Sequence, residues 1–124
     1  MEESKRQKQV ATVILSELNE IFVKLNLNMM DGGMVSISSV KVTPDLLEAR
    51  IYISFFQVKD KNETFKKIEE KNYEIKKQLA LKVKNQLRRI PILQYFIDDT
   101  LDTVFKLEEL FKEIKKNDSH HDEN

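Results

Sequence analysis

Two runs rich in β-branched and aromatic residues flank the tetrapeptide Thr43-Pro44-Asp45-Leu46, and that arrangement leaves this chain few folds. Met34 to Thr43 reads as a strand. Ala49, Ile51, Ile53 and Phe55 alternate with Arg50, Tyr52, Ser54 and Phe56, the period of a second strand. Proline suits the second position of a tight turn, so the connection is short and the two strands are antiparallel. Within the first strand the alternation changes phase. Val35 and Ile37 share one face while Val40 and Val42 fall on the other, which predicts a bulge or sharp twist at Ser38-Ser39.

Helical patterns surround this pair. Val10, Val13, Ile14, Leu18, Ile21, Phe22 and Leu25 follow helical spacing, and Ser4 with Gln7 forms a capping-box signature, which predicts a helix from about Lys5 to Asn26. Asn26, Asn28, Asp31, Gly32 and Gly33 then read as a loop, with the glycines allowing positive φ. After a polar start at Asp60 to Glu63, a second helical stripe carries Phe65, Ile68, Ile75, Leu79, Val83 and Leu87, and Pro91 is expected to end it. Ile92 to Ile97 is a third, short strand. Asp98, Asp99 and Thr100 offer caps to a last helix with Leu101, Val104, Leu107, Phe111 and Ile114 on its apolar face. The order helix, strand, strand, helix, strand, helix predicts a two-layer α+β domain over residues 1–116, with 117–124 as a disordered polar tail.

The 124 residues include two Gly, two Pro and no Cys, which excludes collagen-like chains, disulfide scaffolds and Cys-based zinc sites. No run approaches the roughly 20 apolar residues of a membrane helix, and the charged start lacks a signal core, so a cytoplasmic protein is expected. Lys plus Arg and Asp plus Glu both number 21, a formal net charge of zero. That balance argues against a polycation that coats any nucleic acid.

Four stretches together resemble the ribosome-binding factor A family. They are Ser4-Lys5-Arg6-Gln7 leading to Val10; Val35-Ser36-Ile37-Ser38-Ser39-Val40-Lys41-Val42-Thr43-Pro44-Asp45-Leu46; Ala49-Arg50-Ile51-Tyr52-Ile53-Ser54-Phe55; and Leu87-Arg88-Arg89-Ile90-Pro91-Ile92-Leu93-Gln94-Tyr95-Phe96-Ile97-Asp98-Asp99-Thr100. The resemblance implies a single KH-like domain of the second type, with a helix-strand-strand-helix-strand core and a C-terminal helix. It implies a non-enzymatic, cytoplasmic factor that binds the 30S subunit and 16S rRNA. Its role would lie in 5′ end processing and late subunit assembly, often important in the cold. A monomer with no cofactor, metal, membrane or small-molecule substrate is expected. Members of the family carry an Ala-x-Gly kink where ordinary KH modules have Gly-x-x-Gly. This chain has no glycine after Gly33, so the stretch from Glu63 to Leu87 is either continuous or bent around Asn72 or Ala80.

Counting charge by segment locates a basic stripe, and the resemblance implies that RNA binds there. Residues 75–90 hold Lys76, Lys77, Lys82, Lys84, Arg88 and Arg89 and no acid, a local net of +6. From Pro91 onward four lysines face nine acidic residues, a local net of −5. Lys5, Arg6 and Lys8 add a smaller basic patch at the start of the first helix. Basic stripes bind phosphate by releasing condensed counterions, although a lysine-rich stripe is also the ordinary solvated face of an amphipathic helix. Tyr52, Phe56 and Tyr95 read as lying opposite the core faces of their strands, where they stack on bases, are covered by a terminal helix or pair across strands; for Phe56 the covered or paired reading is preferred. Asp98-Asp99 reads as caps, and His120-His121 lies in the polar tail. No Ser–His arrangement and no phosphate-binding Gly loop is present. A non-catalytic RNA-binding assembly factor is the first reading; a protein–protein adaptor docking through its amphipathic helices is the alternative.

Overall fold

The computed structural model describes residues 3–98. The expected last helix, with its apolar face from Leu101 to Ile114, and the polar tail with His120-His121 lie outside the described residues.

The first helix, α1, spans Lys5–Lys24. Its start is built by the predicted capping box. The Gln7 amide donates to Ser4 Oγ (3.1 Å) and the Ser4 amide donates to Gln7 Oε1 (2.8 Å). The helix ends two residues before the expected Asn26, because Asn26 takes a left-handed conformation with φ 60°. A two-residue strand that sequence reasoning misses, β1 (Met29–Met30), pairs with the start of β2 (Gly33–Val42). Between them Asp31 (φ 51°) and Gly32 (φ 78°) both have positive φ. That is the geometry of a tight hairpin. Gly33 is required at the next position, because a Cβ there would run into the Phe56 carbonyl oxygen and lie 2.6 Å from the Val58 nitrogen.

β2 pairs antiparallel with β3 (Glu48–Phe56), and the register slips between Ile37 and Ser39 as the phase change predicts. The slip is what lets Val35, Ile37, Val40 and Val42 all face the core. β1 covers only the first two residues of β2, leaving the rest of that edge in need of partners. Asn19 of α1 supplies them at Ile37, accepting from its amide (3.0 Å) and donating to its carbonyl (3.3 Å).

The long stretch after β3 is bent. It forms α2 (Lys61–Glu70) and α3 (Asn72–Val83), with Lys71 at the break at φ −90° and ψ 6°. Those angles fall in the sparsely populated bridge region. The bend therefore lies beside Asn72, without glycine, and Ala80 lies inside α3. α3 also stops well before Pro91. Residues 84–90 form turns, and Leu87 is buried from a turn rather than from a helix. β4 (Ile92–Asp98) then adds parallel to β3, giving one sheet in the order β1-β2-β3-β4. Ile14, Leu18, Ile21 and Phe22 of α1, Ile68 of α2 and Ile75, Leu79 and Val83 of α3 join Ala49, Ile51 and Ile53 of β3 in one core, with the helices on a single face of the sheet.

Tyr95 is placed differently from the sequence expectation. Leu93, Tyr95 and Ile97 belong to the core side of β4, and Ile92 and Phe96 are the exposed ones. The Tyr95 hydroxyl donates to Asn72 Oδ1 (2.8 Å), which ties the sheet to the bend between α2 and α3. Burial pushes the Tyr95 phenol well above its ordinary pKa, with repulsion from Glu69 adding to the shift.

Candidate nucleic-acid interface

Three chain segments meet at one corner of the molecule. The start of α1 is pinned to the end of β2, because the buried Gln7 side chain donates to the Val42 carbonyl (2.8 Å). The β2–β3 turn is shaped by Asp45, whose Oδ1 accepts from the Thr43 hydroxyl (2.6 Å) and the Leu47 amide (3.0 Å). Those bonds hold its carboxyl below the usual carboxylate range, the Thr43 bond most strongly. The start of β4 is fastened to the same turn by the Ile92 amide on the Leu47 carbonyl (2.8 Å), and Pro91 beside it is fully buried.

Between these segments lies an open cleft of about 540 Å³. Arg6 lines it from α1, and Lys84, Arg88 and Arg89 line it from the turns after α3. Val10, Leu46, Leu47 and Leu87 contribute its apolar wall, and the Asp45 carboxylate lines it too, one acid against the four cations. Asn85 and Gln86 also line it. Sequence reasoning misses these two, because the apolar spacing carries a helix through them; their position between Lys84 and Arg88 is the available signal.

The cleft's electrostatics favour an anion. The four cations are exposed, and the first turn of α1 carries no acid to oppose the positive end of the helix dipole. Arginine predominates, and its planar fork binds phosphate oxygens in pairs. The backbone behind the cations is held at three places, so their starting points are fixed although their tips move in solvent.

The other predicted cations are distributed around this corner. Lys5 and Lys8 lie on an adjoining surface with Gln9, Thr12 and Val13. Lys76 and Lys77 are exposed on α3. Lys82 differs from the rest. It faces α1 and contacts Glu20 (2.9 Å) and Glu17 (3.6 Å), and Glu20 raises its pKa. Of the six cations counted between 75 and 90, the structure therefore brings three into the cleft with Arg6, leaves two on the outer helix face and ties one to acids.

On the remaining aromatic candidates, Tyr52 stacks on Phe96 with ring centroids 5.5 Å apart, on the sheet face away from the helices. Among the described residues no three His, Cys, Asp or Glu side chains are gathered as a metal site would need. No described helix is long and apolar enough to cross a membrane.

Comparison with known proteins places this architecture. The family model for ribosome-binding factor A matches residues 6–111. Ribosome-binding factor A of Cytophaga hutchinsonii is 34% identical over 125 residues, covering 98% of this chain and 94% of the relative. That of Flavobacterium johnsoniae is 37% identical over 107 residues, covering 86% and 82%. Among solved structures, the crystal structure of ribosome-binding factor A from Thermus thermophilus superposes with a TM-score of 0.61 at 15% identity, over 73% of this chain and 94% of that one. A Thermus thermophilus ribosome-binding factor A model fitted into a map of a 30S complex gives 0.53 at 13% identity, over 78% and 96%. The α1-β2-β3-α2/α3-β4 core has the KH-like order, and by sequence over nearly its whole length the chain belongs to the ribosome-binding factor A family.

Proposed function

We propose that this protein binds the small ribosomal subunit through 16S rRNA and promotes maturation of that RNA, including processing of its 5′ end, without catalysing a covalent step. The observation that carries the reading is the cationic cleft of Arg6, Lys84, Arg88 and Arg89, set on fixed backbone in a family scaffold named for ribosome binding. Lys5 and Lys8 on one side and Lys76 and Lys77 on the other extend the path that a phosphate backbone would follow. Lys82 serves the α1–α3 contact through Glu17 and Glu20 rather than the RNA. The mechanism is differential binding: one conformer of the immature RNA fits the basic corner better and is favoured by that difference alone.

Sedimentation of a cell lysate tests this. The protein should travel with free 30S subunits and be scarce on translating 70S ribosomes, and cells lacking it should accumulate 16S rRNA extended at its 5′ end. A protein found only in the light, unassembled fractions of growing cells overturns ribosome binding and leaves the adaptor reading. Normal 5′ ends in the deletion strain overturn the processing role while sparing the binding role.

A further inference from the structure

The cleft at the basic corner holds two features that phosphate binding leaves unused. The first is apolar surface. Val10, Leu87 and Pro91 line it, and Leu47, exposed at 41%, stands with them within reach of a ligand. Phosphate gains nothing from leucine or valine, whereas a nucleobase has two flat apolar faces to bury. The second is the Asp45 carboxylate. An acid among the cations weakens a site meant for phosphate alone, because like charges repel. Among the described residues Asp45 forms no ion pair with Arg6, Lys84, Arg88 or Arg89 that would neutralise it. Its bonds from the Thr43 hydroxyl and the Leu47 amide both fall on Oδ1. A carboxylate has about four acceptor sites, so Asp45 keeps capacity for a donor brought by a ligand. Asn85 and Gln86 add side-chain amides that both donate and accept.

Resting on the reading of this cleft as an RNA site, we infer that it takes one unpaired nucleobase with an amino group on its pairing edge, guanine before the others, and that Asp45 selects it. The base lies against the apolar wall, and the flanking phosphates meet Arg6, Lys84, Arg88 and Arg89. Guanine offers two neighbouring donors, N1–H and its amino group, to an ionised carboxylate, which only accepts. Its O6 accepts from a side-chain amide such as that of Asn85 or Gln86. Adenine and cytosine present one amino group each. The one donor on the pairing edge of uracil, N3–H, sits between two carbonyl oxygens that a carboxylate repels. A duplex does not fit, because its pairing edges are already engaged, so the ligand is single-stranded RNA. At about 540 Å³ the cleft is also of the size that encloses a small ligand rather than a double helix.

The base contact adds what the cations lack. Phosphate contacts hold the RNA without reading its sequence, and one selected base fixes the register in which the strand crosses the corner.

The test is fluorescence anisotropy on the full chain, with short labelled oligouridylates that differ only in a central G, A, C or U. The central G should tighten binding about tenfold over U, with A and C between them. Asp45→Asn is the deciding variant. Its amide oxygen still accepts from Thr43 and Leu47, which keeps the turn, while an N–H donor replaces the other oxygen. The advantage of G should fall to about twofold or less. The all-uridine oligomer should bind more tightly, since a negative charge has left the cleft. Equal affinity of the unaltered chain for all four oligomers overturns the base pocket and leaves the cleft as a phosphate site. A preference for G that survives Asp45→Asn overturns it as well, because another group then reads the base. Failure of every oligomer to bind also overturns it. Sedimentation with free 30S subunits then shows whether ribosome binding stands without the pocket or falls with it.

Discussion

The salt dependence of RNA binding distinguishes the cleft from the rest of the basic surface. If Arg6, Lys84, Arg88 and Arg89 each neutralise one phosphate, log K falls with log salt at a slope of about −2.8 to −3.6, and raising salt from about 50 to about 200 mM weakens binding roughly 50- to 150-fold. Removing two of the four in an Arg88→Ala/Arg89→Ala variant should halve the slope, so the same change in salt costs only about 7- to 12-fold. Both residues are exposed, so the variant should remain folded. Lys82→Gln is the informative control. It removes a charge from the same sixteen-residue stretch, but that charge is spent on Glu17 and Glu20, and the slope should hold. Anisotropy of a labelled 16S rRNA fragment, titrated at four or five salt concentrations, measures all three slopes. Flattening by Lys82→Gln as deep as that of the double variant would refute the assignment, because the cations would then be acting as a general positive field. An unchanged slope in the double variant would refute it more simply.

Other consequences concern the frame that holds the cleft. Gln7→Ala removes both the capping-box return bond and the bond to the buried Val42 carbonyl. It should cost about 1–3 kcal/mol, read as a lower urea midpoint with unchanged m-value. Gly33→Ala forces a methyl against backbone atoms of Phe56, Gln57 and Val58, whereas Gly32→Ala enters open space and meets only the strain of positive φ. The first should cost about 1–3 kcal/mol and the second about 1 kcal/mol, and thermal unfolding should rank them in that order. Tyr95 gives a pH signature. Its folded phenol is held neutral beyond the unfolded pKa. The stability it contributes is therefore complete below about pH 10 and declines above that. Tyr95→Phe should flatten the alkaline fall in urea-measured stability, and near neutrality it loses the Asn72 bond. That loss should cost about 1 kcal/mol.

What the sequence disclosed was the structure that local chemistry decides. Ser4 and Gln7 cap α1 from three residues apart, and the phase change at Ser38-Ser39 was visible because a bulge must shift the alternation. The Asp31-Gly32 hairpin signal was present, but Met29-Met30 is too short to show a strand period. Leu87 misleads by keeping the i+4 spacing from Val83, so the apolar stripe runs on after the helical backbone has ended. Tyr95 falls on the face opposite to the expected one because Ile92, Leu93, Tyr95, Phe96 and Ile97 are nearly all apolar, and such a run has no alternation to orient it. The bend beside Asn72 was one of the alternatives that the sequence left open, but the Tyr95 hydroxyl on Asn72, 23 residues away, is a contact that no local pattern carries.

The candidate site was half legible for the same reason. Segment counting found the charge, but only the fold decides which charges meet. Arg6 joins Arg88 and Arg89 because Gln7 fastens α1 to the end of β2 and Leu47 fastens the start of β4 to the adjoining turn. The bend without glycine bears on the same question. A Gly-x-x-Gly loop lets a phosphate approach bare backbone, since no Cβ intervenes. Here Lys71 occupies the break and Asn72 beside it is engaged by Tyr95, so that route to the backbone is narrowed by side chains. Contact at the bend is then left to long cationic side chains, which attract phosphate without fixing it. The opposite end of α3 offers the better anchorage, since there Lys84, Arg88 and Arg89 extend from turns whose Leu87 and Pro91 are buried. A family scaffold without glycine at one end of a helix would thus keep a defined place for phosphate at the other.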